Sequence, residues 1–369
     1  MSEFARLVAH WSQHRSRRFS MATVVRTSGS TYRRAGARML IDDSGETFGL
    51  VSGGCLEAEV SKHAAETLRS GRPELLAFDT RAQLGCRGTV EILVEAFAEK
   101  SAEQLFSTAR GCFQQRRTLI GATLFGDDEP SDISFGSYPI STDGIHALAA
   151  TELPEPIIRG GQAALEADRI LTRRCELHGA SSEALFHPLR PPLQLYVFGA
   201  GPDALPVCAF AAQLGWKVTL VIHPSQSPPA VDGRYSIYAA GPEEIVSLSF
   251  DQRTAAVVMT HNYGRDLAYL ARLLPLRLPY LGLLGPRNRR ESLLGDLTSY
   301  GTALDEASLA SLYSPIGLNI GADTPDEIAL SILAEIKAVF ASRRAGFLRD
   351  SRAPIHATEV AALASPVLT

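Results

Sequence analysis

The apolar run Leu193-Gln-Leu-Tyr-Val-Phe198 passes directly into Gly199-Ala-Gly201 and then into a stretch of helical spacing, which leaves this part of the chain few folds to choose from. A strand that is apolar on both faces must be covered on both faces, as in a parallel sheet flanked by helices. Glycines at the strand end make the tight turn into the next helix. A second apolar strand follows over 218–222, where a βαβ unit requires one. Further strands are expected over 255–259 and 280–284, a helix over 265–274 between them, and another helix starting over 288–294. Thr324, Pro325 and Glu327 spell a helix N-cap, first turn and capping box, ahead of an apolar stripe at Ile328, Ile332, Leu333, Ile336 and Val339.

The N-terminal part has a different grammar. A helix over 4–14, strands over 19–26, 38–41, 47–51, 75–78, 90–95 and 119–125, and helices over 56–68 and 103–115 predict a compact α/β unit. Its chemistry concentrates in three loops. In Val51-Ser52-Gly53-Gly54-Cys55-Leu56-Glu57 a strand ends in glycines and a thiol at a helix start, where backbone N–H groups and the helix dipole favour a thiolate. Cys55 is therefore a candidate nucleophile, metal ligand or sulfur-contact group, against the alternative of a small apolar side chain. In the second loop, Thr27-Ser-Gly-Ser-Thr-Tyr-Arg-Arg34, the hydroxyls of Ser28, Ser30 and Thr31 with Arg33 and Arg34 suit a phosphate or other oxyanion, or form a solvated turn. The third, Gly85-Cys86-Arg87-Gly88, is another cysteine in a glycine turn beside a strand, and Arg87 would stabilise the Cys86 thiolate and a nearby oxyanion. Both turns are expected to face one cleft. Cys112, Cys175 and Cys208, in stretches read as helical or irregular, are expected only to pack.

The fold class expected is α/β, an N-terminal α/β domain plus a C-terminal Rossmann-like parallel-sheet domain. Residues 1–125 carry the Gly/Cys loops. An excursion and linker cover 126–192 and end on His187-Pro-Leu-Arg-Pro-Pro192, 193–342 form the Rossmann-like domain, and 343–369 are a loose tail. A net charge of −4 gives no basic surface for nucleic acid, and no run of about 18 apolar residues suggests a membrane span. Five widely spaced cysteines without a C-x-x-C pair suggest reduced thiols in a cytoplasmic protein.

Several blocks in order resemble the XdhC/CoxI family of accessory proteins for xanthine dehydrogenase and related molybdenum hydroxylases. They are Gly29-Ser-Thr-Tyr-Arg-Arg-Ala-Gly-Ala37, Val51-Ser-Gly-Gly-Cys-Leu-Glu-Ala58, Gly85-Cys-Arg-Gly-Thr-Val-Glu91, Val258-Met-Thr-His261 with Asp266, Gly282-Leu-Leu-Gly285, and Pro315-Ile-Gly-Leu-Asn-Ile-Gly-Ala322 with Thr324-Pro-Asp-Glu-Ile328. The resemblance implies a chaperone, not a catalyst. Such a protein binds the molybdenum cofactor (molybdopterin) as cargo, protects its terminal sulfur and hands it to an apo molybdenum hydroxylase, with a cysteine desulfurase as a further partner and a homodimer as a possible assembly. Cofactor contacts are then expected from Ser30, Arg33, Arg34, Ser52, Gly53, Gly54, Cys55, Cys86, Arg87, Gly199, Gly201, His261 and Arg287, with Cys86 and Cys55 nearest molybdenum or its sulfur.

The sequence departs from the family in reading Cys86-Arg87-Gly88 for Cys-Gly-Gly and Gly199-Ala-Gly-Pro-Asp-Ala204 for Gly-x-Gly-His-x-Gly. His223-Pro224 stand where an NAD site ends its second strand in a carboxylate. NAD(P) binding is therefore not expected, although Gly199 to Gly201 could receive a phosphate. The competing reading is a nicotinamide-dependent oxidoreductase with substrate on the N-terminal domain. His261, at a strand end, serves there either as a functional group or as a cap.

Overall fold

The computed structural model describes residues 3–79, 88–97, 102–127, 129–130, 133–141, 153–177, 180–230, 233–302 and 304–350. The chain divides into two compact units, Met1–Pro192 and Leu193–Thr369.

The first unit runs α1 (Glu3–Gln13), β1 (Phe19–Gly29), β2 (Arg38–Asp42), β3 (Thr47–Gly49), α2 (Glu57–Ser70), β4 (Glu74–Asp79), β5 (Gly88–Ala96), α3 (Ala102–Gln114), β6 (Leu119–Phe125), β7 (Gly136–Ser141), α4 (Glu155–Glu166), β8 (Leu171–Leu177) and β9 (Ala180–Leu189). Two antiparallel sheets form, in the orders β3-β2-β1-β5-β4 and β7-β6-β9-β8. The central strand β1 is buried on both faces from Phe19 to Val25, with Ser20 and Thr23 enclosed among its apolar side chains. Ala22 and Val24 pack with Val60 and Ala64 of α2. Phe19 and Met21 take the other face, with Leu7 of α1 and Phe106 of α3. Each such side chain contributes about 1.5–3 kcal/mol on burial.

The expected excursion and linker over 126–192 gives way to structure. Strands β7, β8 and β9 and helix α4 complete the second sheet and its cover, with β9 paired to both β6 and β8. The Gly, Asp and Pro residues after Phe125 mark only the connection to β7. Strand β8 was hidden because its exposed positions are Thr172, Arg173, Arg174 and Glu176, and Cys175 lies on this strand.

Charged groups lie inside this unit as well. Arg38 on β2 is 1% exposed, with its guanidinium 5.1 Å from the Phe4 ring centre. It is 3.1 Å from Nδ1 of His187 on β9 and 3.4 Å from the Thr123 hydroxyl on β6. Glu95 on β5 is equally buried and accepts the Ser137 N–H at 2.9 Å. Burial pushes Glu95 up to about 7 against the attraction of Arg38. It pulls Arg38 down to about 10, and together with that cation it pulls His187 down to about 3.

The second unit runs β10 (Gln194–Phe198), α5 (Ala204–Gln213), β11 (Lys217–Ile222), β12 (Ser236–Ala239), β13 (Thr254–Val258), α6 (Tyr263–Leu273), β14 (Tyr280–Leu283), α7 (Arg287–Ser299), α8 (Glu306–Ala310), β15 (Leu312–Tyr313) and α9 (Pro325–Phe340). All six strands are parallel, in the order β12-β11-β10-β13-β14-β15, which is the doubly wound arrangement expected from the strand and glycine pattern. Helices α5 and α9 cover one face and α6 and α7 the other. Helix α9 starts with both halves of the Thr324–Glu327 capping box in place. Helix α5 begins at Ala204, so Pro202 lies ahead of it, in the turn after β10. The tail is described only to Asp350, with Phe347 and Leu348 exposed. Among the described residues no helix is long and apolar enough to cross a membrane.

Candidate functional site

Strand β3 ends at Gly49, and the chain reaches α2 through Val51 and Ser52, both buried, and Gly53, Gly54 and Cys55, all exposed. Gly54 has φ +106°, a conformation that favours glycine. The Ser52 hydroxyl gathers the N–H groups of Gly54 (3.2 Å), Cys55 (3.1 Å) and Leu56 (3.1 Å). Glu57 folds back to accept the N–H groups of Val51 (3.2 Å) and Ser52 (2.8 Å) on Oε1, and the Ser52 hydroxyl donates to its Oε2. The N–H groups ahead of α2, expected to favour a Cys55 thiolate, are thus largely taken by Ser52 and Glu57. Left exposed is the Cys55 thiol, 3.5 Å from the Ser52 oxygen on a turn braced from below.

Burial raises the Glu57 carboxyl, but the hydrogen bonds from the Ser52 side chain and the backbone outweigh it and hold the group below the usual carboxylate range. A depressed carboxyl adds stability that is present above its ordinary pKa and lost as pH falls through the folded value. The turn therefore loosens in acid. Ser52→Ala removes the common acceptor and should cost about 1–2 kcal/mol, with faster amide exchange at Gly54, Cys55 and Leu56. Unchanged exchange there would show that the hydroxyl is not the brace.

A residue absent from the expected site stands over this turn. The Tyr32 ring atoms lie 3.4–3.6 Å from where a Cβ on Gly53 would be, and Tyr32 is 65% exposed. Gly53 thus leaves room for an aromatic plane beside the thiol. Across the same loop, Ser28 and Gly29 at the end of β1 pair with Thr89 and Gly88 of β5, and a Cβ on Gly88 would lie 2.4 Å from the Ser28 carbonyl oxygen and 2.8 Å from that of Ser30. One loop, residues 28–32, therefore touches Gly53 of the first cysteine turn and Gly88, the residue that follows the second. Cys86 and Arg87 themselves, and the expected convergence of the two thiols, lie outside the described residues. Of the loop's cations, Arg33 is paired with Glu3 of α1, so its charge is already matched, whereas Arg34 and Ser30 are exposed.

The remaining described thiols contrast with Cys55. Cys112, Cys175 and Cys208 are buried, and burial pushes all three up, Cys208 to about 12. They stay protonated at neutral pH. Among the described residues no three His, Cys, Asp or Glu side chains gather as a metal site.

In the second unit the loop after β10 is closed by its neighbours. Gly199 has φ +124°, and a Cβ there would lie 2.4 Å from the Met259 carbonyl oxygen. Above Gly201 a Cβ would meet Asp203 at 2.6 Å and the His261 ring at 3.0 Å. His261 is in the left-handed region, φ +56°, with Nε2 2.8 Å from the Asp203 carboxylate. It is not the cap of α6, a role taken by Asn262, whose side chain accepts the Arg265 N–H at 2.9 Å. Both glycines expected to admit a phosphate are thus also required by backbone packing and by the His–Asp pair beside them. Arg287 opens α7, exposed.

Residues 12–79 match the model described as "XdhC and CoxI family", and residues 195–336 match that of the "XdhC Rossmann domain". A probable xanthine dehydrogenase subunit of Bacillus subtilis is 28% identical over 86% of this chain and 91% of its own length. The molybdenum cofactor insertion chaperone PaoD of Escherichia coli is 22% identical over 86% of this chain and 82% of its own. Among solved structures, one described as a xanthine dehydrogenase from Bacillus halodurans superposes with TM-score 0.72 at 25% identity, covering 93% of this chain and 97% of that one.

Proposed function

Because the chain belongs to the XdhC and CoxI family, we propose that it is an accessory protein that binds the molybdenum cofactor as cargo, shields its terminal sulfur and delivers it to an apo molybdenum hydroxylase of the xanthine dehydrogenase kind. The exposed Cys55 thiol on its braced turn carries this reading. A thiol is a soft donor suited to molybdenum or its sulfur, and this one can approach a bulky ligand because Gly54 beside it leaves the space open. Tyr32 offers a face to a planar pterin, and Ser30 and Arg34 offer a hydroxyl and a cation to its phosphate. Cys86 and Arg87 enter the same proposal on their sequence pattern. A cysteine desulfurase would supply the sulfur that is shielded, and the cargo is held for transfer, not turned over.

The oxidoreductase reading has less to stand on, since the Gly199 loop is closed by Asp203 and His261 and the second strand ends without a ribose-binding carboxylate.

The test is bound molybdenum and pterin fluorescence per folded chain, after purification from cells that make molybdopterin and cells that cannot. Cys55→Ser should lower retention by about tenfold, the equivalent of ~1.4 kcal/mol of lost soft contact. Cys208→Ser should leave it unchanged, and Cys86→Ser is expected to fall with Cys55→Ser. Equal retention in Cys55→Ser and Cys208→Ser would refute the assignment of Cys55.

A further inference from the structure

The second unit contains a cavity of about 490 Å³ that lies beside the closed glycine loop, not on it. It opens at the carboxyl ends of β13 and β14. Its polar lining is His261, Asp266 and Arg289, and Leu284, Pro315 and Ile316 contribute apolar wall. The volume is in the range of small-ligand sites.

The polar part is built, not incidental. Asp266 is 1% exposed, and its Oδ1 accepts the Thr260 N–H (3.2 Å) and hydroxyl (2.6 Å) while Oδ2 accepts Arg289 Nη2–H at 2.7 Å. Both carboxylate oxygens are thereby committed, and their role is to hold the arginine. Nε and Nη1 of Arg289 have no partner among the described residues. Tyr263 flanks the guanidinium at 5.4 Å. Gly285, φ +139°, is needed where it stands, because a Cβ there would lie 2.8 Å from the Arg289 Cδ. Gly282 does the same for the wall, since its Cβ would meet Ile316 at 2.2 Å.

We propose that this cavity is a binding site for a phosphate monoester of a planar heterocycle, a ligand of mononucleotide size, with its phosphate on Arg289 and its ring against Leu284, Pro315 and Ile316. An arginine held along one edge presents its remaining donors to an oxyanion in fixed geometry. A dinucleotide is selected against. Its second half would have to reach the Gly199 loop, where the Asp203 carboxylate stands at the start of α5 and is paired with His261. The ligand is a free mononucleotide, held independently of the cargo proposed for the first unit, so the site does not rest on that reading.

The experiment is calorimetry on the full chain with AMP, CMP, NAD and inorganic phosphate. One mononucleotide should bind per chain, and NAD should bind no tighter than AMP. Ile316→Trp, which fills the cavity without touching a charge, and Arg289→Gln should each weaken binding at least about tenfold with the Cys55 molybdenum retention unchanged. If Arg289→Gln does not fold, Ile316→Trp decides alone. Mononucleotide capacity should be equal on protein with and without molybdopterin, and capacity lost on the cargo-loaded protein would overturn the assignment to a free mononucleotide. No binding by any mononucleotide at millimolar concentration to cargo-free protein, binding indifferent to Ile316→Trp, or NAD preferred over AMP overturns the proposal. Failure of molybdenum retention in the wild type would overturn the chaperone reading and leave these titrations to be judged by themselves.

Discussion

Arg38→Ala should destabilise the first unit by about 3–5 kcal/mol, the cost of deleting a large, fully buried side chain together with its hydrogen bonds. The arginine is fully enclosed, and the substitution leaves Glu95 without its cation, His187 Nδ1 without its donor and a void against Phe4. A loss of that size is a large share of the roughly 5–15 kcal/mol that holds a domain together. Urea unfolding followed by Trp11, in a Trp216→Phe background, reads it directly. An unchanged midpoint would mean that the cluster is not holding the sheets. Arg38→Met with Glu95→Gln, which removes both charges and keeps volume, should recover most of the loss.

The same cluster sets a pH dependence with two opposed limbs. Glu95 is raised from 4.5 to about 7, so between those values the folded chain keeps a proton that the unfolded chain has released, and stability falls as pH rises through that window. His187 is lowered from 6.5 to about 3, so the folded chain refuses a proton that the unfolded chain takes, and stability falls as pH drops below 6.5. Between 4.5 and 6.5 the two slopes cancel in part. Glu95→Gln should therefore gain on the wild type as pH rises from 5 to 8, and parallel curves would refute the assignment.

Gly199→Ala should cost the second unit about 3 kcal/mol in the absence of any nucleotide. The residue's φ of +124° strains any side chain by about 1–3 kcal/mol. Its Cβ would also press against the backbone of Met259 at 2.4 Å, where no rotamer change gives relief. Gly295→Ala is the control, since a Cβ there meets nothing within 4 Å and the helix interior prefers alanine by about 0.5–1 kcal/mol. Thermal melting followed by Trp216 in a Trp11→Phe background separates the two. If Gly199→Ala melted with the wild type but lost a bound phosphate, the glycine would be a ligand glycine after all.

What the sequence settled by itself are features governed by rules that act within a few residues. The capping box at Thr324 and Glu327 fixed the start of α9. Runs apolar on both faces fixed β10, β11 and β13 as buried parallel strands, and β6 was legible from end to end over 119–125. Ordered motifs at Gly29, Val51 and Val258 pointed to the family before any contact was known. The same local rules passed over β8, whose exposed face is polar and charged, and they could not show that Gly199 also packs against Met259, because the turn chemistry of a phosphate cradle and of a packed turn is identical.

Tertiary structure alone decided which groups meet. His261 reaches Asp203 across 58 residues, and Arg38 reaches His187 across 149. Tyr32 comes to lie on Gly53 because the loop after β1 and the loop after β3 emerge near one another. Such pairs depend on strand order and on which face each strand turns inward, and neither is written in residue spacing. The physical reason is that hydrogen bonding and packing energies are short-ranged, so side chains far apart in sequence interact only after the sheets have brought them within a few ångströms.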